Sequence, residues 1–172
     1  MNFDFNDEQK ELKEQARRFL TDQCPTTVPR RILESDEPYA KDLWQGVAEM
    51  GWNGAAIPED FGGIGMGYLE LCVLAEEIGR ACAPIPFSSS IYLAAEAIML
   101  AGSDAQKQNY LPKLAAGEIV ATIAVSEGLG ETTPDSLATT LSGGKLSGKK
   151  SPVADGDVAD IAIVLASENG KP

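Results

Sequence analysis

The sequence predicts an α+β fold, an N-terminal all-α helical domain followed by an antiparallel β domain, and three observations predict it. Up to about residue 118 the apolar residues recur at helical spacing. After Ala121 the chain reads as short strands separated by Gly, Asp, Pro and Ser turns. Between two of those strands, Ser142-Gly143-Gly144 has the composition of a hairpin turn, which pairs its flanks antiparallel. At 172 residues the chain is long enough for one or two domains with a real core.

The elements follow in order. Met1–Phe5 is a short lead-in. Asn6 with Gln9 three residues on is a capping-box pattern, and Asp7 and Glu8 suit the positive end of the helix dipole. Leu12, Ala16, Phe19 and Leu20 then form an apolar stripe to about residue 22. Pro25 and Pro29 mark a break, and a short helix is expected over 30–34. Pro38 is placed as a first-turn proline of the next helix, whose stripe is Tyr39, Leu43, Trp44, Val47 and Met50, with Gly51 at its exit.

The glycines at 62, 63, 65 and 67 rule out regular structure through that loop. A tight turn between helices accounts for the loop, and a binding role is the other reading. A helix through Leu69–Ile78 is apolar on more than one side and is therefore expected to be central in its layer. Ser88–Ser90 are read as the cap of the following helix, which ends at Gly102. Ser103 and Gln106 form a second capping box before a helix through Tyr110 and Leu114. Strands are expected over 119–126, 136–141 and 145–147, and a buried one over Val158–Ala166.

Ala121–Glu131 begins as an apolar strand and ends in small residues. On spacing alone, a domain junction with a tight turn accounts for it. The other reading is a loop whose backbone N–H groups face an acceptor-rich ligand.

Composition narrows the chemistry. The formal net charge of −12 argues against a nucleic-acid partner. No stretch reaches the length of a membrane span. Cys24, Cys72 and Cys82 form no metal-ligand spacing, so no metal is expected, and their odd number fits a reducing compartment, with the cytoplasm as the expected location. There is no histidine, which removes Ser-His-Asp and Cys-His catalysis and the usual zinc sites together.

Four stretches, in order, carry a family likeness: Asp42-Leu43-Trp44 with Met50-Gly51-Trp52; Ile57 to Gly63; Glu76-Glu77-Ile78-Gly79; and Leu111-Pro112-Lys113-Leu114 with Gly117-Glu118. Ala124-Val125-Ser126-Glu127 then follows. In this order the chain resembles the N-terminal part of acyl-CoA dehydrogenases, flavoenzymes that desaturate acyl-CoA thioesters with FAD. The resemblance implies a helical domain over 1–118 and an incomplete first half of the family's middle β domain over 119–172.

It implies FAD as cofactor, with Ile123, Ala124, Val125 and Ser126 on the strand that meets the flavin and Pro152, Val153 and Ala154 at the second contact segment. Leu146-Ser147-Gly148 and Lys150 match the family's Leu-Asn-Gly-x-Lys hairpin. This sequence departs from the pattern in two places. The family's Trp-Ile-Thr becomes Pro152-Val153-Ala154, losing an aromatic wall and a hydroxyl. The family's Pro-Ala-Gly-Ser-Asp run becomes Gly128 to Asp135, where Thr132 or Thr133 is the nearest stand-in for its serine.

No residue corresponds to the family's catalytic glutamate, so no catalytic residue is assigned, and the substrate-binding residues are unknown. The implied partners are an acyl-CoA thioester, an electron-transferring flavoprotein or similar acceptor, and further subunits in a homo- or hetero-oligomer. A non-catalytic assembly module that keeps the fold is the alternative.

Overall fold

The computed structural model describes residues 4–171. Of the lead-in, the first three residues lie outside this range. Helices α1 (Asp7–Gln23), α2 (Thr27–Leu33), α3 (Lys41–Glu49) and α4 (Tyr68–Arg80) come first. A π-helix, Ser88–Ala95, runs directly into α5 (Glu96–Ala101), and α6 (Asp104–Ala115) completes the helical part. Strands β1 (Ala121–Ala124), β2 (Thr140–Ser142), β3 (Lys145–Ser147) and β4 (Ile161–Val164) follow. Both expected capping boxes form, Asn6 with Gln9 and Ser103 with Gln106, because each satisfies two helix-end donors locally.

Two apolar clusters hold the elements together. The first gathers Ala16, Leu20, Trp44, Val47, Leu74 and Phe87, where α1 packs on α4 and α3 contributes Trp44 and Val47. α4 buries Leu71, Val73, Leu74 and Ile78, and it also buries Glu77 completely. Arg17 and Arg80 hold that carboxylate at 2.7 and 2.6 Å. Burial pushes the Glu77 carboxyl up, but its hydrogen bonds and ion pairs with the two arginines outweigh this and leave it below the usual range. The second cluster joins Ile57, Ile98, Leu111 and Leu114 to Ala121, with Ile161 and Ile163 packed on it. That cluster seats the β1–β4 pair on the helical layer.

Helices followed by a small sheet region is the order the sequence predicts. The pairing within the sheet is mixed. β2 and β3 form the expected antiparallel hairpin, Thr140 opposite Ser147. β1 and β4 run parallel, Ala121 opposite Ile161 through Ala124 opposite Val164, which corrects the all-antiparallel expectation. The cause is the connection: the hairpin and its flanking loops carry the chain back before β4 begins, which is the crossover a parallel pair requires.

Further expectations change. The short helix expected over 30–34 begins earlier, as α2 at Thr27, and takes Pro29 into its first turn, where a proline is tolerated, rather than breaking at it. Pro38 precedes α3 rather than opening it. The N–H of Ala40 donates to Pro84 O at 2.9 Å, and this tertiary bond keeps the lead-in extended. Ser88–Ser90 do not cap a helix; they lie inside the π-helix, and Ser89 and Ser90 bond to the sheet side. The expected strand over 136–141 starts only at Thr140, because Thr133 and Ser136 cap a turn of 3-10 helix over Pro134–Ser136. The strand expected over Val158–Ala166 shortens to β4 and is half-buried; a turn holds Val158, whose N–H donates to Asp155 O at 3.2 Å.

The glycine-rich loop folds on itself. The N–H groups of Ile64, Gly65 and Met66 donate to the carbonyls of Gly54, Ile57 and Ala55 at 2.9, 2.9 and 2.7 Å. Those donors are spent internally, which favours the tight turn.

Candidate functional site

β1 leaves the sheet at Val125-Ser126, and the segment after the hairpin returns beside it. Ser151 N–H donates to Ser126 O at 2.8 Å. Four residues earlier on β1, the Thr122 hydroxyl donates to Ala154 O, three residues past Ser151, at 2.6 Å. The two segments named from the sequence, Ile123–Ser126 and Pro152–Ala154, are therefore neighbours.

Their surfaces differ. Ile123, Val125 and Ser126 are half-buried, Pro152 and Ala154 are exposed, and Val153 is half-buried. Ala124 is buried, so its backbone rather than its side chain is available outside. Ala124 and Val153 also border one cleft of ≈ 580 Å³, with Thr139, Lys150, Gly156 and Val164. The Thr139 hydroxyl is buried there without a hydrogen-bond partner among the described residues.

Glu127 and Lys150 lock the lip from behind. Lys150 Nζ bonds Val125 O at 3.0 Å and the Glu127 carboxylate at 2.8 Å, and both side chains are nearly buried. The same carboxylate accepts from Ala138 N–H at 2.7 Å and Thr139 N–H at 2.8 Å. The ammonium of Lys150, then the Thr139 and Ala138 donors, hold the Glu127 carboxyl down at about 2. Its folded value lies below the ordinary 4.5, so its contribution to stability is complete above pH 4.5 and fades as pH falls toward 2. Glu127→Gln is expected to abolish that acid dependence and to speed amide exchange at Ala138 and Thr139. Unchanged exchange and an unchanged acid limb of the unfolding profile would contradict this.

Of the two threonines considered as stand-ins, Thr133 is engaged locally: its hydroxyl accepts from Ser136 N–H at 3.3 Å. Thr132 borders a separate cleft of ≈ 390 Å³ with Gly128, Gly130 and Glu131. The sequence reading missed Thr122, Ser89 and Ser90 as residues that shape the lip. The available signals were a lone threonine in an apolar run and three serines where one suffices for a cap. Among the described residues no group of His, Cys, Asp and Glu is arranged to hold a metal ion, and no helix is long and apolar enough to cross a membrane.

Known proteins with this pattern are consistent with one another. The family profile described as "Acyl-CoA dehydrogenase, N-terminal domain" matches residues 6–118. Mitochondrial isovaleryl-CoA dehydrogenase of Arabidopsis thaliana is 32% identical over 173 residues, covering 97% of this chain and 42% of that protein. The ChsE4-ChsE5 complex from Mycobacterium tuberculosis matches with a TM-score of 0.87 and 25% identity, over 99% of this chain and 47% of that one. An acyl-CoA dehydrogenase complexed with FAD from Bacillus anthracis matches with a TM-score of 0.82 and 29% identity, over 98% of this chain and 30% of that one. The chain thus spans less than half the length of these relatives. With two-thirds of its residues inside the family profile, the chain belongs to the acyl-CoA dehydrogenase family.

Proposed function

We propose that these residues are the N-terminal helical domain, to about residue 118, and the first part of the flavin-binding β domain of an FAD-dependent acyl-CoA dehydrogenase. The observation that carries the reading is the side-by-side placement of Ile123–Ser126 and Pro152–Ala154, closed by the Ser151–Ser126 hydrogen bond. The residues present fit one face of a flat ring. Small side chains at 126 and 154 leave a shallow surface, and the Val125 carbonyl behind it is fixed by Lys150.

Bound there, FAD supplies an electron-accepting ring for the hydride that leaves the β-carbon of an acyl-CoA thioester. This chain orients the ring and excludes water from its covered face. The carboxylate that takes the α-proton is supplied by the part of the family's length that these residues do not span. Pro152 offers no aromatic wall and Ala154 no hydroxyl, so ring contact here rests on backbone groups and shape.

Further subunits complete the site in this reading, in a homo- or hetero-oligomer. The similarity to a structure named as a ChsE4-ChsE5 complex supports this. An electron-transferring flavoprotein or similar acceptor takes the electrons away. We place the protein in the cytoplasm; three free thiols support a reducing compartment.

The test is to purify the chain with the polypeptide that completes the family's length, record the visible spectrum, and follow dye reduction with acyl-CoA thioesters. Bound flavin that is bleached by a thioester is the expected result. A colourless assembly in excess FAD would overturn the reading. It would leave the second one, a non-catalytic assembly module, which the substitutions at Pro152 and Ala154 favour.

A further inference from the structure

Two consecutive serines of the π-helix, Ser89 and Ser90, are fully buried and reach toward the sheet. A π-helix turns the chain less per residue than an α-helix, so adjacent side chains diverge less. Such segments are frequent at functional sites. Ser90 Oγ accepts from Ala121 N–H and donates to Ala121 O, each at 3.1 Å. It stands where a neighbouring strand would, and it closes the edge of β1 opposite β4. Ser89 Oγ donates to Asp155 Oδ2 at 2.5 Å, with Pro86 O the more distant acceptor at 3.2 Å. Asp155 has φ +52°, a conformation that aspartate tolerates and most residues avoid. It directly follows Ala154, whose carbonyl is held from the strand side by Thr122.

Each half of the lip is thus tied to one serine. We propose that Ser90, through the backbone of Ala121, and Ser89, through the carboxylate of Asp155, are positioning residues that set how Ile123–Ser126 and Pro152–Ala154 face the cofactor. This rests on the flavin reading above. A serine buried only for packing would satisfy itself on its own helix. Ser90 spends both its hydrogen bonds on a residue 31 positions away, and Ser89 its shorter one on a residue 66 positions away. Loss of the Ser89–Asp155 bond leaves the carboxylate without its buried donor and frees the 152–155 loop from the helical layer.

The experiment compares Ser89→Ala, Asp155→Gly and Asp155→Asn in the complete flavin-binding assembly. Its readouts are the FAD dissociation constant, the position of the flavin absorbance bands, and amide exchange over 151–156. Ser89→Ala and Asp155→Gly are expected to weaken FAD binding about tenfold, the loss of one hydrogen bond to a charged group. They should also shift the bands and speed exchange over 151–156, with exchange in α1 and α4 unchanged. Asp155→Asn keeps an acceptor for the Ser89 hydroxyl and tolerates positive φ, so it should restore binding to within about twofold. Should Ser89→Ala fail to fold, Asp155→Gly, in a half-exposed loop, carries the same readouts. Faster exchange with FAD affinity and bands unchanged would mean a merely structural tether and would overturn the proposal, as would unchanged exchange. A wild-type assembly that binds no flavin sinks the functional reading instead, which separates the two failures.

Discussion

Trp44→Ala is expected to cost about 3–5 kcal/mol, the range for truncating a buried aromatic side chain. Trp44 is only 1% exposed and sits in the first core cluster, edge-on to Phe87 at 6.5 Å. Its indole N–H donates to Gly117 O at 3.0 Å. Gly117 stands at φ +68° where the chain leaves α6 for β1, and a Cβ there would lie 2.8 Å from that of Ala48. The indole therefore fills the core and also ties it to the entry of the site-bearing sheet. For a domain of this size the loss lowers the melting temperature by roughly 6–20 °C. Trp44→Phe separates the two roles. Gln45 Nε2 already donates to Gly117 O at 3.1 Å, so removal of the indole N–H should cost only about 1 kcal/mol beyond the lost volume. Thermal melts followed by circular dichroism check both, and a Trp44→Ala melt within about 2 °C of the wild type would contradict the assignment.

Gly63→Ala is expected to cost about 3 kcal/mol, the upper end for forcing atoms into filled space. A Cβ at Gly63 would lie 2.5 Å from the Ile57 carbonyl carbon and 2.6 Å from its Cβ, closer still to its carbonyl oxygen. None of these is the free end of a flexible side chain. Ile57 is 1% exposed, belongs to the second core cluster, and its carbonyl accepts from Gly65 N–H at 2.9 Å. Relief of the clash would therefore move both core and loop. Gly79→Ala provides the control. Nothing lies within 4 Å of a Cβ at Gly79 inside α4, and helix propensity favours alanine there by about 1 kcal/mol. Denaturant unfolding should show opposite signs for the same chemical change. Equal effects would refute the packing argument.

Much of what is decided within a turn of helix or a hairpin was legible in the sequence, the turn capped by Thr133 and Ser136 being the exception. The Asn6–Gln9 and Ser103–Gln106 boxes and the Ser142-Gly143-Gly144 turn satisfy their own backbone groups, so composition at fixed spacing reveals them. Features decided by distant partners were not legible. Pro38 looked like a helix opening until Pro84 O claimed the N–H of Ala40. Ser89 and Ser90 looked like caps, because Asp155 and Ala121 are remote in the chain. The parallel β1–β4 pair depends on a crossover that no local pattern announces. The candidate site shows the same division. The strand and its small-residue exit were visible at 121–131, but its pairing with residues 151–154 was reachable only through the family resemblance. Thr122, whose hydroxyl grips Ala154 O, gave no sign beyond being polar in an apolar run.

The central claim is that the lip formed by Ile123–Ser126 and Pro152–Ala154 lies against a flavin. Photolabelling the complete assembly with an azido-flavin analogue, with and without excess FAD, tests it most directly when the labelled peptides are identified by mass spectrometry. The account predicts label on peptides carrying Val125-Ser126 and Pro152-Val153, suppressed by FAD. FAD-suppressible label confined to the helical residues before 118, with none on either segment, would contradict it.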